Sequence, residues 1–235
     1  MAFFDFDLRS TGKPAADELP AGGVVYGSSA IKGRPFSPSG LYAGAKLDHL
    51  VGESDSRFPS GEPLVVELSI DGVKFNEWCR RPPSDWWPLL ETLRSRGAFL
   101  RVPLAPNAST VSNLRRLARM EPKVRYLVDP FQLGPESKWS ANLRLAEAGN
   151  IYLTTLGAAP GPEPVWVDAE VLDRAFHFLC GEVGAGKLLF ASGADISSPD
   201  SSEHVEKWLT SIGSLDQDQR RLIQYDNVAE IFSAR

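Results

Sequence analysis

The sequence predicts an α/β fold in which parallel strands alternate with helices. From residue 98 onward, short apolar runs typical of buried strands are each followed by a helical pattern of apolar residues. This alternation requires crossover connections, which are right-handed and place successive strands in parallel. About seven or eight strand candidates in one domain favour a closed TIM-like (β/α) barrel over an open sheet. A distorted or incomplete barrel is the open alternative.

The predicted elements follow from apolar periodicity and from the residues that begin and end helices. Strands are predicted at 2–8, 64–70, 98–104, 124–128, 151–156 and 187–192, and helices at 84–96, 110–120, 137–148, 168–183 and 203–209, with a further helix after Ser214. The Asp71-Gly72 turn signal predicts a short strand that pairs back over 73–75. Ser84 is predicted to cap its helix and Gly97 to end it, and Ser214 is predicted to open a capping box.

The predicted barrel occupies residues 1–235 as one domain, with an irregular part at 11–61. This part is rich in Gly, Pro and Ser and is predicted to hold a short strand at 23–27 and a helical turn at 45–51. So long a segment with little structure is uncommon in a compact domain unless it is functional. A lid over a site and a surface excursion without a catalytic role are the two interpretations.

Composition excludes several classes of function. Hydrophobic residues make up 43% of the chain and charged residues 23%, which is typical of a soluble globular protein. The net charge of -5 argues against binding to nucleic acid or to a membrane surface. The only cysteines, Cys79 and Cys180, form no Cys-x-x-Cys motif, so neither a disulfide framework nor a thiolate zinc site is predicted.

The expected location is the cytoplasm, and the expected partner is a small molecule. No apolar run reaches the roughly 20 residues that span a bilayer. The first residues carry acids where a signal peptide has basic residues. Assembly into a homo-oligomer is left open.

The candidate site lies where the predicted strands end, because functional side chains of a barrel gather at the carboxyl ends of its strands. The polar residues at those ends are Asp7, Arg9, Glu67, Arg101, Asp129, Thr154, Thr155, Ser192 and Asp195. A charge in an apolar strand is costly to bury without a partner. For Asp7, Arg9 and Glu67, a place in a site and a place in a structural ion pair are therefore both open.

The last third of the chain resembles the closing segment of the amidohydrolase-related barrels. The stretches that carry the likeness are Lys187-Leu-Leu-Phe-Ala-Ser-Gly-Ala-Asp195 and Asp226-Asn-Val-Ala-Glu-Ile-Phe232, with Val128-Asp-Pro-Phe-Gln-Leu-Gly134 and Asn150-Ile-Tyr-Leu-Thr-Thr-Leu-Gly157 upstream. Asp5-Phe-Asp-Leu-Arg9 stands where that family has Asp-x-His-x-His. The resemblance covers 124–235 and the first nine residues, and it does not cover 12–97.

The residues depart from the family pattern at the metal site that the resemblance implies. In that family, a His-x-His pair, a histidine on a middle strand and an aspartate on the last strand hold divalent metal. Those positions fall here on Asp7 and Arg9, on Pro130 or Asp129, and on Gly193, with Asp195 two residues later. Because zinc favours His and Cys ligands, we expect no metal site of that type and no cofactor. An oxygen-ligand site for Mg²⁺ or Mn²⁺, built from Asp7, Glu67, Asp129 and Asp195, is the alternative.

Two functions are compatible with these expectations. The first is a metal-independent hydrolase of lactonase type that acts on a small anionic molecule, with Asp7, Asp129 and Asp195 as catalytic residues. Arg9 and Arg101 would bind a substrate carboxylate, with Glu67, Thr155 and Ser192 as further substrate-binding residues. The second is a catalytically inactive relative that keeps the barrel and serves as a binding protein. Whether the chain is an enzyme is left open.

Metal analysis tests the ligand argument directly. Because the ligand positions hold residues that zinc does not favour, the purified protein should contain no stoichiometric zinc. Elemental analysis by mass spectrometry after dialysis measures this content. One tightly bound zinc per chain would contradict the prediction.

Overall fold

The computed structural model describes residues 4–9, 22–26, 41–47, 64–68, 72–102, 108–129, 143–155, 169–191, 206, 209–210 and 213–233. In the first three ranges, the description covers the backbone alone. The predicted helix from 203 lies almost wholly outside these residues. In the part of the chain that is described, no helix combines the length and the apolar character needed to cross a membrane.

The described residues form a single sheet of eight parallel strands, and these strands are neighbours in chain order. The strands are β1 (Phe4–Arg9), β2 (Gly22–Tyr26), β3 (Leu41–Leu47), β4 (Val65–Leu68), β5 (Phe99–Arg101), β6 (Arg125–Val128), β7 (Ile151–Thr154) and β8 (Leu188–Leu189). This is the strand order of a (β/α) barrel, and it confirms the predicted α/β class. The strand predicted at 23–27 is confirmed as β2, whereas the helical turn predicted from residue 45 is wrong because 45–47 belong to β3.

Helices follow the strands along the second half of the chain. They are α1 (Gly72–Arg80), α2 (Pro83–Arg96), α3 (Ala108–Met120), α4 (Ala169–Val183), α5 (Gln217–Arg221) and α6 (Asn227–Ser233), with 3₁₀ turns at Arg144–Glu147 and Ala185–Lys187 and a π-helical turn at Leu222–Asp226. The helices predicted at 84–96, 110–120 and 168–183 are confirmed as α2, α3 and α4. Of the helix predicted at 137–148, the described part forms only the first 3₁₀ turn.

Two local predictions are wrong. The strand predicted over 73–75 is part of α1, because Phe75, Trp78 and Cys79 recur at helical spacing and are all buried in the core. Ser84 does not cap α2, which begins one residue earlier at Pro83, and the Ser84 hydroxyl bonds Asp85 instead.

Of the predictions for two other helix ends, the one for the end of α2 is confirmed and the one for the start of α5 is wrong. Gly97 ends α2 as predicted, with a left-handed φ of 60°. Its N–H donates to Arg94, and the next N–H donates to Leu93, which is the Schellman arrangement. The cap of α5 is Asp216, whose carboxylate accepts from the backbone N–H of Gln219 at 2.8 Å, and not Ser214.

The two faces of the sheet are buried against different parts of the chain. The helices α1 to α4 pack on one face, which presents Val66, Leu68, Leu100, Val102, Tyr126, Val128, Leu153, Leu188 and Phe190. The opposite face, here called the inner face, presents Val65, Phe99, Leu127, Leu189 and Ala191 to α6. Strand side chains alternate between faces, so Glu67, Arg101, Asp129 and Thr154 follow on the inner face. The inner face is therefore apolar where the strands begin and polar where they end.

At the amino ends of β5 to β7, aromatic rings and α6 cover the inner face. Phe99 meets Tyr152 edge to face, with ring centroids 6.3 Å apart. The Arg125 guanidinium lies 5.8 Å from the centre of the Phe99 ring and donates to the carbonyl of Ile231 in α6 at 3.2 Å. Burial lowers the pKa of Arg125, and the neighbouring Tyr152 opposes that change. The amino ends of β5 to β7 are thus filled by side chains, which favours a ligand site at their carboxyl ends.

The outer edge of β8 is covered by the C-terminal segment. Thr155 N–H donates to Leu189, so the backbone groups of Leu188 and Phe190 face away from β7. Phe190 N–H donates to the carbonyl of Ile223 in the π-helical turn at 3.2 Å. The Asn227 amide donates to the carbonyls of Leu188 and Ala185 at 2.8 Å each. The π-helical turn contacts β1 as well as β8, so it links the first and last strands.

Asn227→Ala should therefore destabilise the fold. The substitution removes two buried hydrogen bonds and deprives the Leu188 carbonyl of the donor that Asn227 supplies, which is expected to lower the free energy of unfolding by about 2–4 kcal/mol. Urea denaturation followed by circular dichroism measures the change. Ser233→Ala, in the same helix but exposed, should change stability little. Equal stability of Asn227→Ala and the wild type would show that these bonds do not hold the edge of β8.

Candidate functional site

Three of the predicted site residues meet at the carboxyl ends of neighbouring strands. Glu67 in β4 is in register with Arg101, the last residue of β5. Arg101 is in register with Leu127 of β6, and Asp129 follows two residues later on the same face. The strand-end rule thus correctly brings Glu67, Arg101 and Asp129 together.

A buried ion pair between Arg101 and Asp129 forms the centre of the cluster. Arg101 Nε and one terminal nitrogen, Nη2, donate to Asp129 Oδ2 at 3.1 and 2.8 Å. The exposed fractions of the two side chains are 5% and 4%. The other carboxylate oxygen, Oδ1, accepts a short hydrogen bond from the Thr154 hydroxyl. Both oxygens of Asp129 are therefore engaged, which suits a positioning residue better than a base that must take up a proton.

Glu67 is the more accessible carboxylate of the cluster. Its Oε2 lies 3.4 Å from Nη1 of Arg101, the terminal nitrogen that Asp129 does not use. Its side chain is 25% exposed, against 4% for Asp129. The guanidinium thus lies between two carboxylates, one enclosed and one in contact with solvent.

The two threonines at the end of β7 have different tasks. Thr154 contacts Asp129, whereas the hydroxyl of the fully buried Thr155 donates to the carbonyl of Ala191 at 3.1 Å and accepts from the N–H of Ala191 at 2.8 Å. Thr155 thereby fastens the end of β8 to β7, and its predicted role in substrate binding stays a prediction. Thr154 belongs to the cluster because its side chain lies on the inner face, as those of Tyr152 and Asp129 do. Alternate residues of a strand face the same side of the sheet, so Thr154 follows Tyr152 and Thr155 does not.

The remaining predicted site residues lie in parts of the chain that the structure describes incompletely. Asp7 and Arg9 belong to β1, where Arg9 is in register with Tyr26 and a bulge falls between Asp5 and Leu8. Ser192 and Asp195 lie outside the described residues, as does most of the irregular part at 11–61. Their predicted roles stay predictions.

The donor chemistry of the cluster does not fit a zinc or similar metal centre. Across the described ranges, no three His, Cys, Asp or Glu side chains are grouped so as to hold a metal ion. Burial raises the pKa of the Cys79 thiol to about 12 and that of Cys180 to about 11, so both thiols are protonated at neutral pH. Within the cluster itself, a fixed cation lies between the carboxylates and would repel a divalent ion.

Thr155→Val tests the structural task of that threonine. The change keeps the shape but leaves the buried N–H and carbonyl of Ala191 without the hydroxyl, so unfolding free energy should fall by about 1–3 kcal/mol. Thr155→Ser should retain most of the stability, and Thr92→Val, at an exposed hydroxyl on α2, should be nearly neutral. Thermal melting measures all three. A Thr155→Val variant as stable as the wild type would contradict the structural task.

Comparison with known proteins identifies structures of the same fold. The sequence matches no protein-family model, and no curated protein shows significant similarity to it. The structure is similar to amidohydrolase 2 from Bifidobacterium longum subsp. infantis, with a TM-score of 0.61, 14% identity and coverage of 99% of this chain and 98% of that one. It is also similar to a zinc-bound amidohydrolase from Burkholderia multivorans, with a TM-score of 0.63, 11% identity and 99% coverage of each chain.

A third similar structure carries a more specific name. It is a probable 2-pyrone-4,6-dicarboxylic acid hydrolase from Acinetobacter baumannii with citric acid bound, with a TM-score of 0.58 and 15% identity over 99% of this chain and 100% of that one. At such low identity these likenesses establish the fold. The eight parallel strands of the described residues thus form a TIM-like (β/α) barrel, the fold of these amidohydrolases, and the resemblance inferred from the sequence motifs is confirmed for the fold.

Proposed function

We propose that this chain is a metal-independent hydrolase of lactonase type that acts on a small anionic molecule. The observation that carries the proposal is the charged cluster of Glu67, Arg101 and Asp129 at the carboxyl ends of β4 to β6. This is the end of a (β/α) barrel at which active sites are found, and the opposite end is filled by rings and α6. The name of the Acinetobacter relative, a hydrolase of a dicarboxylic pyrone, supports a substrate that is both a lactone and an anion.

The geometry supports an exchange of the roles predicted for the two carboxylates. Asp129, predicted as catalytic, is enclosed and holds Arg101 through two hydrogen bonds. Glu67, predicted to bind substrate, is partly exposed and makes the longer contact with the guanidinium. In our proposal, Asp129 positions Arg101 and Glu67 is the general base.

In the proposed reaction, a carboxylate of the substrate meets Nη1 of Arg101 and loosens its contact with Glu67. Glu67 then removes a proton from a water molecule as the water oxygen attacks the acyl carbon. The bond between the acyl carbon and the ring oxygen breaks, and the ring oxygen takes up the proton that Glu67 received. The product is a single hydroxy acid that carries both the new carboxylic acid and the released hydroxyl, so the addition of one water is balanced.

A binding protein without catalysis is the second candidate, and a specific observation favours it. The charge of Arg101 is already neutralised by Asp129, with Glu67 as a further anion. A cluster in which every charge is paired can be purely structural, because burial of an unpaired charge is costly. The barrel would then keep its fold and bind a ligand without converting it.

Hydrolysis assays with chelator present separate these candidates. A panel of small lactones and esters, each with a free carboxylate, should include one that the wild type hydrolyses in EDTA. Glu67→Gln should lower kcat/KM by at least about 100-fold, because the amide cannot accept the proton. The matched control is Glu91→Gln, the same change on an exposed residue of α2, which should keep the wild-type rate.

Each other outcome has a defined meaning. Turnover that is lost on chelation and restored by metal would overturn metal independence. Wild-type turnover by Glu67→Gln would exclude Glu67 as the base. A panel compound that raises the melting temperature without being hydrolysed would support the binding protein.

A further inference from the structure

We infer that the guanidinium of Arg101 occupies, between the carboxylates of Glu67 and Asp129, the place in which a divalent cation would otherwise bind. The inference deepens the proposed metal-independent function and rests on it. In this inference, the Arg101 guanidinium supplies the positive charge at the carboxyl end of the barrel. The relative from Burkholderia multivorans, which has the same fold, contains bound zinc.

The first argument is the arrangement of charge. Carboxylates from β4 and β6 approach one cation on the strand between them, with Asp129 Oδ2 at 2.8 Å from Nη2 and Glu67 Oε2 at 3.4 Å from Nη1. The Thr154 hydroxyl holds Oδ1 of Asp129, the oxygen that does not contact Arg101. Carboxylate oxygens that approach one positive centre from two sides are also typical ligands of a hard metal ion such as Mg²⁺ or Mn²⁺.

The second argument is that the cation is fixed and permanent. The Arg101 side chain is 5% exposed and is held by a fork of two hydrogen bonds to one oxygen. A guanidinium stays protonated throughout the range in which proteins are stable, so its charge depends on neither pH nor metal supply. Two like charges a few ångströms apart in a buried place repel strongly, so this cluster excludes a divalent ion while Arg101 is present.

The third argument is what removal of the cation would leave. Without the guanidinium, Glu67 and Asp129 would face each other across a space that it has vacated, with Asp129 enclosed. An uncompensated buried carboxylate is strongly destabilising. A divalent cation that binds the folded state would relieve this repulsion and raise stability by mass action.

The experiment compares Arg101→Met with Arg101→Lys by thermal melting, in EDTA and in millimolar Mn²⁺. Methionine carries no charge, and its shorter, flexible side chain leaves room between the carboxylates, so this variant should melt lower than the wild type in EDTA and should gain about 5 °C or more with Mn²⁺. Lysine keeps a positive charge, so Arg101→Lys and the wild type should not respond to Mn²⁺. The double variant Arg101→Met, Asp129→Asn, which lacks the buried anion, should not respond either.

If Arg101→Met does not fold in EDTA, the inference can still be tested by adding Mn²⁺. Mn²⁺ should then restore its circular dichroism spectrum, and no restoration would overturn the inference. An Arg101→Met variant that folds but melts at the same temperature with and without Mn²⁺ would overturn it too. An equal response of the wild type would show that a divalent ion binds beside Arg101 or elsewhere, against the inference.

Failure here is distinguishable from failure of the proposed function. The melting experiment uses no substrate, so the absence of turnover with every panel compound would not affect its result. Conversely, the wild type could hydrolyse a substrate in EDTA while the melting temperature of Arg101→Met does not change with Mn²⁺. That result would support the metal-independent hydrolase and contradict the inference that the guanidinium takes the place of a metal ion.

Discussion

The buried ion pair of Arg101 and Asp129 is the interaction on which the carboxyl end of the barrel depends. Each charge would be costly to bury without a partner, so each of the two residues stabilises the other in its position. The pair joins the end of β5 to the end of β6, and Thr154 extends the connection to β7. Three consecutive strands are thus tied by side chains at the point where their backbone pairing ends, and a site built there is rigid on this side.

The opposite end of the barrel has the complementary property. Phe99, Tyr152 and the apolar side of α6 fill the inner face where the strands begin. The same helix follows the segment that covers the outer edge of β8, where Asn227 satisfies two carbonyls. This gives a physical reason for the Asp226–Phe232 motif. Its asparagine holds the last strand, and its apolar residues close the amino end, so the motif serves the fold and not the chemistry.

The sequence predicted the class of fold and the centre of the site because both depend on simple periodicities. Glu67, Arg101 and Asp129 could be found from the rule that polar residues at strand ends converge. Whether Thr154 or Thr155 faces the cluster depends on which face of the sheet each side chain occupies. A register shift of one residue exchanges the two faces, so the sequence alone does not decide between them. β3 escaped prediction because Leu41–Leu47 contains Gly and Ala, which favour strands poorly, and pairing with β2 and β4 outweighs that preference. Residues 73–75 are helical because the helical pattern that continues to Cys79 outweighs the local turn signal at Asp71-Gly72.

The difference in exposure between the two carboxylates decides how chemistry could occur in this cluster. A base must reach water and must release its present partner, and Asp129 does neither because both of its oxygens are engaged in a nearly closed space. Glu67 has a quarter of its side chain exposed and a longer contact with the same guanidinium. An anion that competes for Arg101 would therefore displace Glu67 before Asp129. In the reaction proposed above, Arg101 would bind the substrate carboxylate and loosen its contact with Glu67 in one event, a coupling that requires Arg101 to be held firmly by Asp129.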